Sequence, residues 1–232
     1  MAIVTPMDSA LNFGPLWLTV KLAAVVTFLL LALGTPLAWW LSQTRSKAKP
    51  VIEALTALPL VLPPTVLGFY LLILLSPNSA FGSFWVNVTG DTLTFSFVGL
   101  VIASMLYSLP FMVQPLQNAF ESLDPNMMDA AASLGASPFD RFTSIAAPLS
   151  LRGFVTAIIL TFAHTVGEFG VVLMVGGNIP GRTKVVSIAI YEHVETLRYT
   201  EAHILSAILL VFSFIVLLSV YVFNRQGRVH VG

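Results

Sequence analysis

Leu22–Leu41 reads LAAVVTFLLLALGTPLAWWL, twenty residues without one Asp, Glu, Lys or Arg. A helix rises about 1.5 Å per residue, so such a run crosses about 30 Å of hydrocarbon with its backbone groups bonded internally. Ala54–Leu75, Phe95–Phe120 and Ile204–Phe223 are equally free of charge. A fifth run, Gly153–Val175, carries one acid, Glu168, and one histidine, His164. The pattern predicts an all-α membrane protein, a polytopic bundle of about five transmembrane helices near residues 16–41, 53–75, 96–120, 152–175 and 203–223. A membrane barrel would show short alternating segments instead.

Composition agrees. The chain is 56% hydrophobic and 9% charged, whereas a soluble domain carries roughly a quarter charged residues. Met1–Pro15 holds no Lys or Arg and includes Asp8, so the first run reads as a retained helix rather than a cleaved signal. Cysteine is absent, which removes disulfides and thiolate metal sites; no metal and no cofactor are expected. No linker or repeat divides the 232 residues, so one domain is predicted, with no regulatory domain after Phe223. The chain lacks G-x-x-x-x-G-K-[ST], H-E-x-x-H and G-x-S-x-G, and no enzymatic activity of its own is expected. Lipid, not nucleic acid, is its expected surrounding.

Charge placement orients the bundle. Arg45, Lys47, Lys49, Arg141, Arg152, Arg225 and Arg228 fall on one side, seven of the eleven basic residues. Lys21, Arg182, Lys184 and Arg198 fall on the other, the last three among Glu192, Glu195 and Glu201. The positive-inside rule then puts the N-terminus outside and the C-terminus in the cytoplasm. A sixth short or re-entrant helix within Val185–Leu197 stays open.

Two runs carry unusual residues. Pro59, Pro63 and Pro64 place three prolines within six residues of the second run. Each removes a backbone donor, which suits either a packing kink or a break lining a pathway. Thr161, His164, Thr165 and Glu168 recur at helical spacing on the fourth run, with Gly167 and Gly170 beside them. This polar stripe suits a pathway face or an interhelical hydrogen-bond cluster. A bare carboxylate would repel an anion, so Glu168 is not read as an anion ligand. Arg182 and Lys184 could attract an anion or a partner protein, or simply snorkel at the interface.

Glu121–Ser150 is the long polar connection. Leu123-Asp124-Pro125-Asn126 starts a short Ala-rich helix over Met127–Leu134, with Met127, Met128, Ala131 and Leu134 as a small apolar face. Gly135 stands at the C-cap position, and a second helical turn runs through Phe139–Ala147.

Within this connection, Asp129-Ala130-Ala131, three residues, Gly135, nine residues, Ile145, two residues, Pro148 resembles the Glu-Ala-Ala loop of ABC importer permeases. Asp129 stands where that pattern has Glu and Ala147 where it has Leu. The resemblance implies a cytoplasmic coupling helix that docks in a cleft of a separate ATPase subunit. It also implies a permease homodimer, an ATPase dimer and a periplasmic binding protein, in a bacterial inner membrane. Leu58–Tyr70, Phe162–Gly170 and Gly177–Lys184 with Tyr191 beyond resemble molybdate permeases, which implies import of molybdate or tungstate. Sulfate and thiosulfate permeases are close relatives. A secondary transporter fits less well, because the helix count is odd and paired repeats are lacking.

Overall fold

The computed structural model describes residues 13–225, so Asp8 and Arg228 of the charge pattern lie outside the described residues. The order is α1 (Gly14–Gln43), α2 (Lys49–Val61), α3 (Pro64–Leu75), α4 (Ala80–Thr89), α5 (Phe97–Glu121) and α6 (Pro125–Ser133). Next come α7 (Pro138–Arg141), a π-helical turn (Phe142–Ala146) and α8 (Ala147–Leu149). α9 (Leu151–Val166), α10 (Gly170–Gly176), α11 (Val186–Glu195) and α12 (Tyr199–Arg225) complete the chain. No strand occurs among the described residues.

α1, α5 and α12 are each long and apolar enough to cross a membrane. The predicted run 53–75 is two helices, α2 and α3, bent by 113°. The cause is local. Leu62 and Pro63 both precede a proline, whose Cδ disfavours helical geometry in the residue before it, and both adopt extended backbone (ψ 136° and 135°). Pro59, by contrast, stays inside α2. The run 152–175 is also interrupted, at Gly167–Phe169 between α9 and α10. Pro138–Leu149 and α9 form a second bent pair, at 74°; counting each bent pair as one span gives up to five.

α1 and α5 form the centre, and α9 packs on both. Leu22, Val26, Leu30, Met112, Leu116 and Phe120 fill the seam, while Trp17, Phe28 and Leu33 of α1 face outward. A helix apolar all round suits a bilayer, where only packing decides which face is inside. Gly153 lets α9 close on α5: a Cβ there would stand 2.3 Å from Ala119 Cβ.

Two further short helices lie outside both the five predicted runs and the connection 121–150. α4 falls in the loop 76–94, started by Ser79, whose Oγ accepts from Gly82 N at 2.8 Å, and ended by Gly90 at φ 77°. α11 occupies the segment in which the sequence allows a sixth short helix, and Val186 N donates to Thr19 Oγ1 of α1 at 2.8 Å.

Candidate functional site

The two interruptions meet. Gly170, at the start of α10, abuts Pro64, at the start of α3, so closely that a Cβ on the glycine would lie 2.8 Å from Pro64 Cβ. Beside this contact is a cavity of about 490 Å³ lined by Pro64, Thr65, Tyr107, His164, Glu168 and Gly170, among others. One wall has a local cause, the proline that ended α2 before Pro64; at the other, Gly167 keeps helical backbone and the chain departs from it at Phe169.

The polar stripe of α9 splits into two kinds of residue. Ser108 of α5 bridges His164 Nδ1 (2.9 Å) and Thr165 Oγ1 (3.0 Å), and Thr165 also donates to Thr161 O (2.9 Å). His164 stacks on Phe111 (centroids 4.0 Å) and lies near Tyr107 (4.8 Å). That half is an interhelical hydrogen-bond cluster. Thr161 Oγ1 and both Glu168 carboxylate oxygens are buried without a hydrogen-bond partner. His164, Gly167, Glu168 and Gly170 line the cavity together with Pro64, whereas Thr161, Thr165, Pro59 and Pro63 do not. The α5 residues Ser104, Ser108 and Tyr107 are the part that sequence reasoning misses. The signal available is Ser104 and Ser108, four apart and so on one face of α5.

At the other end of the bundle, α6 to α8 form a tip. Asp124 caps α6 by accepting from Asn126 N (2.9 Å). Gly135 turns the chain at φ 89°, and Ser137 with Asp140 forms a reciprocal capping box for α7. The predicted apolar face of α6 divides: Met128 is buried in the core, Ala131 is half-buried, and Met127 and Leu134 are exposed. The single face fails because the core takes Met128 while Leu134 sits at the turn, 89% exposed beside Phe139 at 74%. Asp129, Ala130, Gly135 and Pro148 are exposed, and Ile145 is half-buried against the core. The π-turn sends Phe142 inward to Trp39 (5.4 Å) and Phe120 (6.0 Å).

On the far side, Lys184 is not a free cation. Its Nζ is 2.6 Å from Glu192 Oε2, to which Asn178 Nδ2 also donates. Hydrogen bonds from Lys184 and Asn178 hold the Glu192 carboxyl below the usual carboxylate range. Arg182 is exposed, and no ion pair of it occurs among the described residues.

Residues 31–229 match the family described as binding-protein-dependent transport system inner membrane component. The chain belongs to this family. A molybdenum transport system permease protein ModB of Azotobacter vinelandii is 53% identical over 208 residues, covering 90% of this chain and 92% of that protein. ModB of Escherichia coli strain K12 is 34% identical, covering 77% and 78%. A sulfate transport system permease protein CysT of Synechocystis is 33% identical, covering 84% of this chain and 68% of that one. Among solved structures, an inward-facing MetNI methionine ABC transporter chain superposes with TM-score 0.73 at 18% identity, covering 95% of this chain and 99% of that chain. A bacterial alginate ABC transporter chain gives 0.75 at 16%, covering 97% and 82%. The fold is therefore that of ABC transporter membrane subunits, and the family match spans the cavity and the tip alike.

Proposed function

We propose that two copies of this chain form the membrane pathway of a bacterial molybdate importer. A periplasmic molybdate-binding protein delivers the oxyanion, and a pair of cytoplasmic ATPase subunits drives the cycle. The substrate assignment is carried by the 53% identity to a molybdenum permease over 92% of its length, against 33% for a sulfate permease. Tungstate, of like charge and shape, would travel with molybdate. The chain acts as one permease domain over residues 1–232, with the N-terminus outside and the C-terminus in the cytoplasm, in keeping with the distribution of Lys and Arg. The permease itself breaks no bond; ATP is hydrolysed on the partner chain.

The tip is the coupling element in this reading. Leu134 and Phe139, exposed on either side of Gly135, would enter an ATPase cleft with Asp129, Ala130 and Ala131 behind them. Met128, Phe142 and Ile145 key the same segment into the core. A displacement of the tip would therefore be felt by α1 at Trp39 and by α5 at Phe120. The breaks at Leu62–Pro63 and Gly167–Phe169 supply flexible points where the spans can re-pack between two access states. Arg182, exposed beyond α10, is available to a delivering protein.

Uptake tests the substrate: expression in cells lacking their own molybdate permease should restore molybdate accumulation in the presence of excess sulfate. Restoration of sulfate uptake instead would reassign the substrate. Failure to copurify with an ATPase would remove the importer mechanism altogether.

A further inference from the structure

Glu168 is 3% exposed, both of its oxygens are closed off from solvent, and neither accepts a hydrogen bond among the described residues. Buried polar groups are almost always paired, so an orphaned carboxylate calls for a cause. No Lys or Arg forms an ion pair with it among the described residues. The neighbouring elements offer no other neutralising charge. From α3 come Pro64 and Thr65, neither titratable; from α5, Tyr107 and Ser104. Ser104 Oγ, fully buried, is close enough to turn toward the carboxyl, but a neutral hydroxyl brings no counter-charge. From α9 comes His164, whose Nδ1 is engaged by Ser108 and whose ring lies on Phe111. From α11 comes Ser187, which donates to the Glu168 carbonyl at 2.6 Å and leaves the carboxyl alone.

An uncompensated carboxylate in an apolar interior costs several kcal/mol, a large share of a domain's whole stability. We propose that Glu168 binds one proton from outside the chain, held while the breaks at Leu62–Pro63 and Gly167–Phe169 are packed together. Opening of these breaks hydrates the carboxyl and releases the proton. The sealed carboxyl leaves no room for a larger cation, since both oxygens are closed off. The inference goes beyond the importer reading, since a sealed carboxyl holds its proton whatever the pathway carries.

The test is the melting midpoint of the full-length chain in lipid nanodiscs, for wild type and Glu168→Gln, a neutral side chain of the same shape. A ligand bound only by the folded state raises stability with the logarithm of its concentration. The wild-type midpoint should therefore fall as pH rises. A midpoint that instead rises with Na⁺ or K⁺, at ionic strength balanced with choline, and ignores pH would overturn the proton assignment. Glu168→Gln should lose that dependence, the remaining slope belonging to other groups. Identical responses of the two proteins, or none in either, overturn the proposal. If Glu168→Gln does not fold, isotope-edited infrared spectra of wild type with labelled glutamate decide it. A protonated carboxyl band supports the site, and a carboxylate band in its place overturns it. Neither readout depends on molybdate uptake, so failure here and failure of the transport assignment are told apart.

Discussion

Phe142, in the π-turn between α7 and α8, meets Trp39 of α1 edge-on, with ring centroids 5.4 Å apart and planes at 62°. Trp39 in turn lies 5.2 Å from Phe120, and Phe120 5.8 Å from Phe154, so one aromatic cluster joins the tip to α1, α5 and α9. A π-turn widens the helix by one residue and rotates the next turn about the axis, which carries Phe142 inward while Thr143 and Ser144 stay exposed. Phe142→Ala should cost about 2 kcal/mol, below the full core value because the ring is only half-buried. Uptake should fall at least about tenfold while ATP hydrolysis by the assembled transporter persists. Paired uptake and hydrolysis assays check it, and equal loss of both would point to misfolding instead.

Gly135 has φ 89° and nothing within 4 Å of a would-be Cβ. Substitution there meets backbone strain alone. Gly135→Val should cost about 1–2 kcal/mol locally and lower the yield of copurified ATPase, while Gly135→Asn, which tolerates that backbone better, should keep most of it.

Gly153 presents the opposite case, crowding without backbone strain. Gly153→Ala would press on Ala119 Cβ, and overpacking of this sort costs about 1–3 kcal/mol. The double variant Gly153→Ala with Ala119→Gly should recover most of the melting midpoint, because it relieves the clash and only trades one helical glycine for another.

Ser108→Ala removes the hydroxyl that serves His164 and Thr165 together. Thr165 keeps its bond to Thr161 O, but His164 Nδ1 loses the hydroxyl that engages it from α5. A loss of about 1–3 kcal/mol is expected for the orphaned group, measured by thermal unfolding in detergent. Ser108→Thr, which keeps the hydroxyl, should lose less.

The Lys184–Glu192 tie responds to acid. The Glu192 carboxyl is held below its usual range, first by its hydrogen bond from Lys184 and then by that from Asn178. A depressed acid stabilises the folded state above its ordinary range and loses that contribution as pH falls through the lowered value. Hydrogen-exchange protection over residues 177–184, corrected for the intrinsic rate at each pH, should therefore fall on acidification, and Glu192→Gln should show the lower protection already at neutral pH. The pair is partly exposed, so the effect stays below about 1 kcal/mol.

Much of the fold is legible along the chain because its causes are local. In lipid each helix must satisfy its own backbone, so uncharged runs announce α1, α5 and α12 without reference to any neighbour. Proline stereochemistry acts on the preceding residue, so Pro63 and Pro64 announce a break, although not that Pro59 is absorbed into α2. Asp124, Gly135 and Ser137 mark the ends of α6 and α7 by the same kind of short-range hydrogen bonding. The interruption at Gly167–Phe169 is less plain, since the run from 153 to 175 is apolar enough for one helix.

Partners are a different matter. Whether Lys184 is a free cation, whether Met127 and Met128 share a face, and whether the Thr161–Glu168 stripe is satisfied depend on residues far away in sequence. Ser108 and His164 are 56 positions apart, and the meeting of Pro64 with Gly170 joins two breaks from different spans. Apolar run length and proline position follow from covalent geometry and the bilayer. The pairing of polar side chains follows from which helix faces close on one another, and there the tertiary packing alone left Glu168 sealed in without a counter-charge.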